Sequence, residues 1–356
     1  MKKILVVLLT LGMLCGCQGK KDDKIKIGVV LALTGDLSSY GQSIKQGIEL
    51  AYENIDTSAI ELVFTDSRGE ANVAINSLHY LLNMHGINYI IGDVSSSTTL
   101  SMIPIIDKYK IFLLSPGAAT PELTNISPLF ARNYPSSTDE SIRVAELIYD
   151  RMAIHDIATI YSNDDYGSGL SNVFKKTFTN KGGNICFDEG YEKGTTQFKE
   201  LLLKMKKCTF DCLYLSGNQR EMGAFIKQYK EYGFTQPVVA NMAFLENDCL
   251  EIAGEYADNV IVPVVKYDID EESLFVQKYK ERYNQTPTMV NALGYDALNI
   301  LIQALNYSQS PTEVATYIRN LSGFDGAMGN LSFEQGNVVA PIEFKIVIEG
   351  EIVDYN

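Results

Sequence analysis

The constraint that narrows the possible folds most is a regular alternation of short apolar runs with helix-spaced segments. Residues 25–33, read Ile-Lys-Ile-Gly-Val-Val-Leu-Ala-Leu, predict a strand. Residues 42–54 carry Ile44, Ile48, Ala51 and Tyr52 at helical spacing, and 60–65 predict a strand again. A second helix face (Ala74, Leu78, Leu81, Leu82) leads to the strand Tyr89-Ile90-Ile91. A helix over 100–109, expected despite Pro104, and a strand over 110–114 follow. Strands separated by helices of this length form parallel βαβ units, in a sheet covered on both faces.

After Pro135-Ser136-Ser137-Thr138 the alternation restarts. Helices are expected over 141–152, around Leu170 to Phe178, over 198–206 and over 221–232. The intervening strands are expected over 157–161, 185–188, 212–216, 237–240 and 259–265. With 356 residues, the chain exceeds the length at which a single core stops growing. The fold class is therefore α/β, with two doubly wound parallel-sheet lobes. Helices over 272–283 and 290–305 have no new parallel sheet to join and are expected to cover the first lobe. Residues 342–348 and 351–353 form closing strands.

Both series place polar residues where a strand's carboxyl end meets a helix, which is where open α/β sheets bind ligands. Asn88 to Thr99 is the clearest case. Its apolar run stops at Gly92, and consecutive hydroxyls, Ser95 to Thr99, precede the helix. Such residues cap the helix, and its free N–H groups can also hold a carboxylate. Tyr40-Gly41 in the first series and Tyr166-Gly167 in the second occupy matching places and suggest facing walls of one cleft.

Several chemistries are missing. There is no Gly-x-Ser-x-Gly elbow, His-Glu-x-x-His, phosphate loop or dinucleotide fingerprint. The three histidines lie away from the strand ends, and Cys186, Cys208, Cys212 and Cys249 lack zinc-site spacing. No enzyme activity, metal or cofactor is expected. A net charge of −14 without a basic cluster argues against nucleic acid. Export would permit a disulfide, with Cys208 and Cys212 as the nearest pair.

Met1-Lys2-Lys3 and the apolar run to Leu14 read as a signal peptide over 1–16. Leu14-Cys15-Gly16-Cys17 resembles the bacterial lipobox, with Cys17 as the lipidated residue and 17–23 as a polar tether. The expected location is the outer face of a cell-envelope membrane.

Taken in order, the blocks resemble the Leu/Ile/Val-binding type of ABC-importer solute-binding protein, with its type I periplasmic-binding fold. They are Ile27-Gly28-Val29-Val30 with Thr34-Gly35 and Tyr40-Gly41; Asp66 with Gly69; Ile91-Gly92 with Ser95 to Thr99; Ser115-Pro116-Gly117-Ala118 with Pro121-Glu122-Leu123; Arg132 with Pro135-Ser136; Asp165-Tyr166-Gly167; and Tyr295-Asp296-Ala297. The resemblance implies two lobes, 24–138 with 267–334 and 139–266 with 335–356, joined by three crossings. It implies a hinge that closes on a small ligand, an ABC permease as membrane partner, and a monomer. A ligand-sensing protein of the same fold, not coupled to transport, is the alternative.

By the same resemblance the ligand contacts are Tyr40, Ser95, Ser96, Gly117, Ala118 and Thr120 on the first wall, and Tyr166, Asn218 and Met242 on the second. Two departures bear on the ligand. Where amino-acid binders commonly read Ser-Pro-x-Ala-Thr, this chain has Ala119, with its threonine one place later at Thr120. The position that in amino-acid binders carries a carboxylate for the ligand ammonium falls on Met242. Unless Asp164, Asp165 or Glu246 replaces that acid, a zwitterion is disfavoured, because a buried ammonium needs a counter-charge. A small carboxylate, amide or neutral polar molecule is expected instead.

Overall fold

A computed structural model describes residues 24–266 and 270–355. The signal peptide, the tether with Cys17, and the expected return to the first lobe at 267 lie outside the described residues.

The first series folds as β1 (Ile25–Leu31), α1 (Ser38–Glu53), β2 (Ile60–Asp66), α2 (Ala71–His85), β3 (Tyr89–Gly92), α3 (Ser96–Tyr109), β4 (Phe112–Ser115) and β5 (Phe130–Arg132). The second comprises α4 (Ser137–Glu146), β6 (Asp156–Ser162), α5 (Asp165–Asn180), β7 (Asn184–Tyr191), α6 (Lys199–Met205), β8 (Cys212–Ser216), α7 (Gln219–Glu231), β9 (Val238–Ala240), α8 (Asn247–Ala253) and β10 (Val260–Val265). The remainder adds α9 (Leu274–Tyr283), α10 (Met289–Tyr307), α11 (Pro311–Arg319), β11 (Phe324–Gly326), β12 (Gly329–Leu331), β13 (Phe333–Glu334), β14 (Asn337–Val338), β15 (Ile342–Ile348) and β16 (Glu351–Asp354).

Two seven-stranded sheets result, ordered β13-β14-β5-β4-β3-β1-β2 and β16-β15-β10-β9-β8-β6-β7. The chain is thus built from two doubly wound, mostly parallel α/β lobes. In each sheet the first strand of the series sits between the strands that follow it, β1 between β3 and β2, β6 between β8 and β7. The order reverses there, opening a crevice at the strands' carboxyl ends. Consecutive residues of β1 and β8 are buried, as strands covered on both faces require.

Several boundaries differ from the sequence reading. Strand β1 stops at Leu31 because Asp66 captures the next residues, accepting from Leu33 N at 2.9 Å and from the Thr34 hydroxyl at 2.6 Å. Helix α1 then begins at Ser38, so Tyr40 lies in its first turn instead of ahead of it. Strand β5 and helices α8 and α11 were not expected. Strand β14 pairs with β5 through Asn337 and Arg132, so the first sheet extends to Val338, beyond the expected crossing after Glu334. Cys208 and Cys212 are free thiols, Cys212 being buried in β8.

Glycine is required at two kinds of place. At Gly92, where β3 hands over to the cleft, φ is +144° and a Cβ would lie 2.0 Å from the Val30 carbonyl. Helices α1 and α10 approach backbone to backbone. A Cβ on Gly47 would meet the Asn291 carbonyl at 1.9 Å, and one on Gly294 the Ile44 carbonyl at 2.1 Å. This contact seats the start of α10 beside the cleft. Gly47→Ala should force the helices apart and destabilise the fold by about 1–3 kcal/mol, read as a lower urea midpoint. An unchanged midpoint would contradict the close packing.

Candidate functional site

The first wall is built on the end of β3. Ser95 caps α3, its hydroxyl accepting from Thr98 N at 3.3 Å. The first amides of the helix have no partner within it, so they and the positive end of the dipole face the crevice. Below, Ser115 holds the neighbouring loop. Its hydroxyl donates to the Asp93 carbonyl at 2.7 Å and accepts from Ala118 N at 2.9 Å. Burial pushes Asp93 up to about 6.

Arg132 fixes the rest of this loop. Fully buried, it donates to the Ala118 and Thr120 carbonyls at 3.1 and 2.9 Å, to the Thr124 hydroxyl at 2.8 Å and to Asn337 Oδ1 at 2.7 Å. All four acceptors are neutral, and burial lowers the guanidinium to about 9.

The second wall starts at the end of β6. Asp164 caps α5, accepting from Gly167 N at 2.8 Å and Ser162 Oγ at 3.0 Å, while its other oxygen accepts from Asn218 Nδ2 at 2.5 Å. Asn241 Nδ2 donates to the Tyr166 hydroxyl at 2.9 Å. Beyond β9, the turn Met242–Leu245 is held from both sides. Glu140 accepts from Met242 N at 3.0 Å, and the Tyr134 hydroxyl donates to Met242 Sδ at 2.8 Å. Glu246 follows this turn, with the Tyr40 hydroxyl within hydrogen-bonding reach across the cleft. Burial is the main cause raising Glu140 and Glu246 each to about 7, and it holds Tyr40, Tyr134 and Tyr166 well above the ordinary tyrosine range.

Between the walls lies a cavity of about 170 Å³. Of the expected contacts, Tyr40, Ser95, Ser96, Gly117, Tyr166, Asn218 and Met242 line it. Ala118 and Thr120 do not. The Ala118 amide is taken by Ser115 and its carbonyl by Arg132. Thr120 is fully buried, its amide donating to Ser96 Oγ at 3.2 Å and its hydroxyl to the Asp165 carbonyl at 2.9 Å, so it ties the two walls together. Ala119 faces the cavity in its place.

Residues missed from sequence complete the lining. Leu37, Ile44 and Val94, with Met289, Val290 and Leu293 from α10, form an apolar surface with Met242. Tyr134 and Lys193 also border it. No local signal marks the α10 residues, since their place depends on the α1–α10 contact. Lys193 stands at the mouth, 4.0 Å from Asp36 of the opposite lobe. Among the described residues, no His/Cys/Asp/Glu cluster could hold a metal, and no helix is long and apolar enough to cross a membrane.

Two α/β lobes with strand carboxyl ends facing across a mostly apolar cavity define a ligand-binding protein of the two-lobed periplasmic type. The periplasmic binding protein family model matches residues 24–342, and the chain belongs to that family. The relatives it is similar to carry branched-chain amino acid binding names. The chain is 27% identical over 333 residues to the Leu/Ile/Val/Thr-binding protein of Salmonella typhimurium, covering 91% of each chain. It is 26% identical to the Leu/Ile/Val-binding protein of Escherichia coli K12, covering 91% of this chain and 90% of that one. The leucine-binding protein LivK of Thermotoga maritima superposes with a TM-score of 0.86 at 27% identity, over 93% of this chain and 98% of that one.

The buried Glu140 gives a test of this electrostatic picture. Its carboxyl is raised in the folded state from an ordinary 4.5 to about 7. Ionisation therefore favours the unfolded chain, and the protein loses stability as pH rises from about 4.5 to about 7. Glu140→Gln keeps an acceptor for Met242 N and should gain stability over the wild type across that range, by up to about 3 kcal/mol above it. Parallel pH profiles for the two proteins in urea unfolding would refute the assignment.

Proposed function

We propose that this protein is the extracytoplasmic receptor of an ABC importer, anchored through a lipid on Cys17 and passing a small ligand to a membrane permease. The lobes, about 24–138 with the segment from 267, and 139–266 with the last strands, act as the jaws of a hinge. The ligand is an amino acid or a similarly small carboxylate or amide with an apolar body. Tyr40, Ser95, Ser96 and Gly117 hold its polar end, while Tyr166, Asn218 and Met242 close over it.

One observation carries this reading. The free N-terminus of α3, with Ser95 and Ser96, opens into a cavity whose remaining surface is largely apolar. A carboxylate on the helix end and a hydrocarbon body against Leu37, Ile44, Met289 and Leu293 satisfy both surfaces. The Leu/Ile/Val-binding names of the relatives agree with a ligand of this form.

A thermal-shift screen over amino acids, short carboxylates, amides and aromatic acids tests it. A true ligand at about 100 times its dissociation constant adds roughly 2.7 kcal/mol of stability. Ser96→Ala and Tyr166→Ala should each abolish the shift. Normal binding by both variants would remove the cleft assignment.

A further inference from the structure

The cavity is bipolar, and of the two carboxyls at its negative end one, Glu246, has its oxygens less engaged than the other. Asp164 also borders the cavity, but both its oxygens are occupied, by Ser162, Gly167 and Asn218. Among the described residues, the hydrogen-bond partner of the Glu246 carboxyl is the Tyr40 hydroxyl, which comes from the opposite lobe. The α3 N-terminus supplies the positive end on the first wall, and Glu246 stands on the second.

We propose that Glu246 determines the specificity of the cleft by taking the protonated amine of a ligand whose carboxylate sits on α3. This rests on the cleft being the ligand site. The exchange balances. Whatever fraction of the Glu246 carboxyl is protonated before binding gives its proton to solvent, and the carboxylate pairs with an ammonium that keeps all of its own.

The surroundings favour the exchange. Besides Tyr40 of α1, the ionisable groups around Glu246 are Tyr134, Asp248 and Cys249 beside it, and Arg220 and Glu221 of α7, which packs on α8. Arg220 is engaged by Asp248 at 3.1 Å, and Lys193 at the mouth faces Asp36. No cation is among the groups that act on the Glu246 carboxyl. Burial accordingly raises the Glu246 carboxyl to about 7, and a ligand ammonium would draw it back down. The acid missing at position 242 is thus supplied at 246, on the next element.

Isothermal titration with matched pairs tests the assignment: L-leucine and 4-methylpentanoate, L-valine and 3-methylbutanoate, L-phenylalanine and 3-phenylpropanoate. Each is run from about pH 6 to about pH 8.5, in buffers of different ionisation heat. For the wild type, at least one amino acid should tighten as pH rises and release about half a proton near pH 7, while its des-amino partner weakens. Glu246→Gln should lose at least about tenfold for the amino acid, with its proton release and its discrimination within the pair.

Wild-type protein that prefers the des-amino acid at high pH would overturn the proposal. So would proton release that persists in Glu246→Gln and disappears in Glu140→Gln. If the wild type bound neither member of any pair, the reading of the cleft would fail along with it.

Discussion

Arg132 is a buried cation with no carboxylate beside it, and the first wall depends on it. Its guanidinium spreads over two carbonyls of one loop, a threonine hydroxyl and the side chain of a residue in the returning strand β14. Such a group costs desolvation energy unless every donor is matched. Here the matching acceptors come from chain segments more than two hundred residues apart, so satisfying the arginine fixes the loop and β14 together. The loop then positions Thr120, which holds Ser96 through its amide and the backbone of α5 through its hydroxyl. A requirement inside one lobe is thereby transmitted to the contact between the two.

The second wall is organised by buried acids and tyrosines. Glu140 and Tyr134 clamp Met242 from opposite sides, and the turn they hold delivers Glu246 to the cavity. Its polar groups differ in their freedom. Asp164, Asn218 and Asn241 are committed to one another, to Ser162 and Tyr166 or to backbone, whereas among the described residues Glu246 finds its hydrogen-bond partner across the cleft. The wall therefore separates groups that shape it from groups, Glu246 among them, that are less engaged.

The parallel α/β character and most elements are legible in the sequence because parallel strands buried on both faces read as uninterrupted apolar runs, as in β8. Strand β5 escaped notice for the opposite reason. It is three residues long after an irregular stretch, and it exists through its pairing with β4 and β14. The same division applies to the site. Tyr40, Ser96 and Tyr166 sit at strand ends that a βαβ reading locates, Met242 comes from the family resemblance alone, and all four line the cavity. Ala118 and Thr120 are neighbours of lining residues, and a shift of one residue turns them into the loop's own hydrogen bonding. Met289 and Leu293 could not be read at all, since they reach the cavity through the glycine-mediated contact of α10 with α1.

Glu246 shows why a residue's absence at one position is weak evidence about a site. Met242 leaves no acid where the resemblance places one, and an amine-bearing ligand is disfavoured unless Asp164, Asp165 or Glu246 replaces that acid. A cavity, however, is charged by whatever side chains border it, irrespective of the element that carries them. Four residues further along the chain, past one tight turn, Glu246 borders the same space. The turn that removes the acid from one element returns it on the next. Electrostatic complementarity is thus a property of the cavity as a volume, and position-by-position comparison recovers it only where the backbone path is also unchanged.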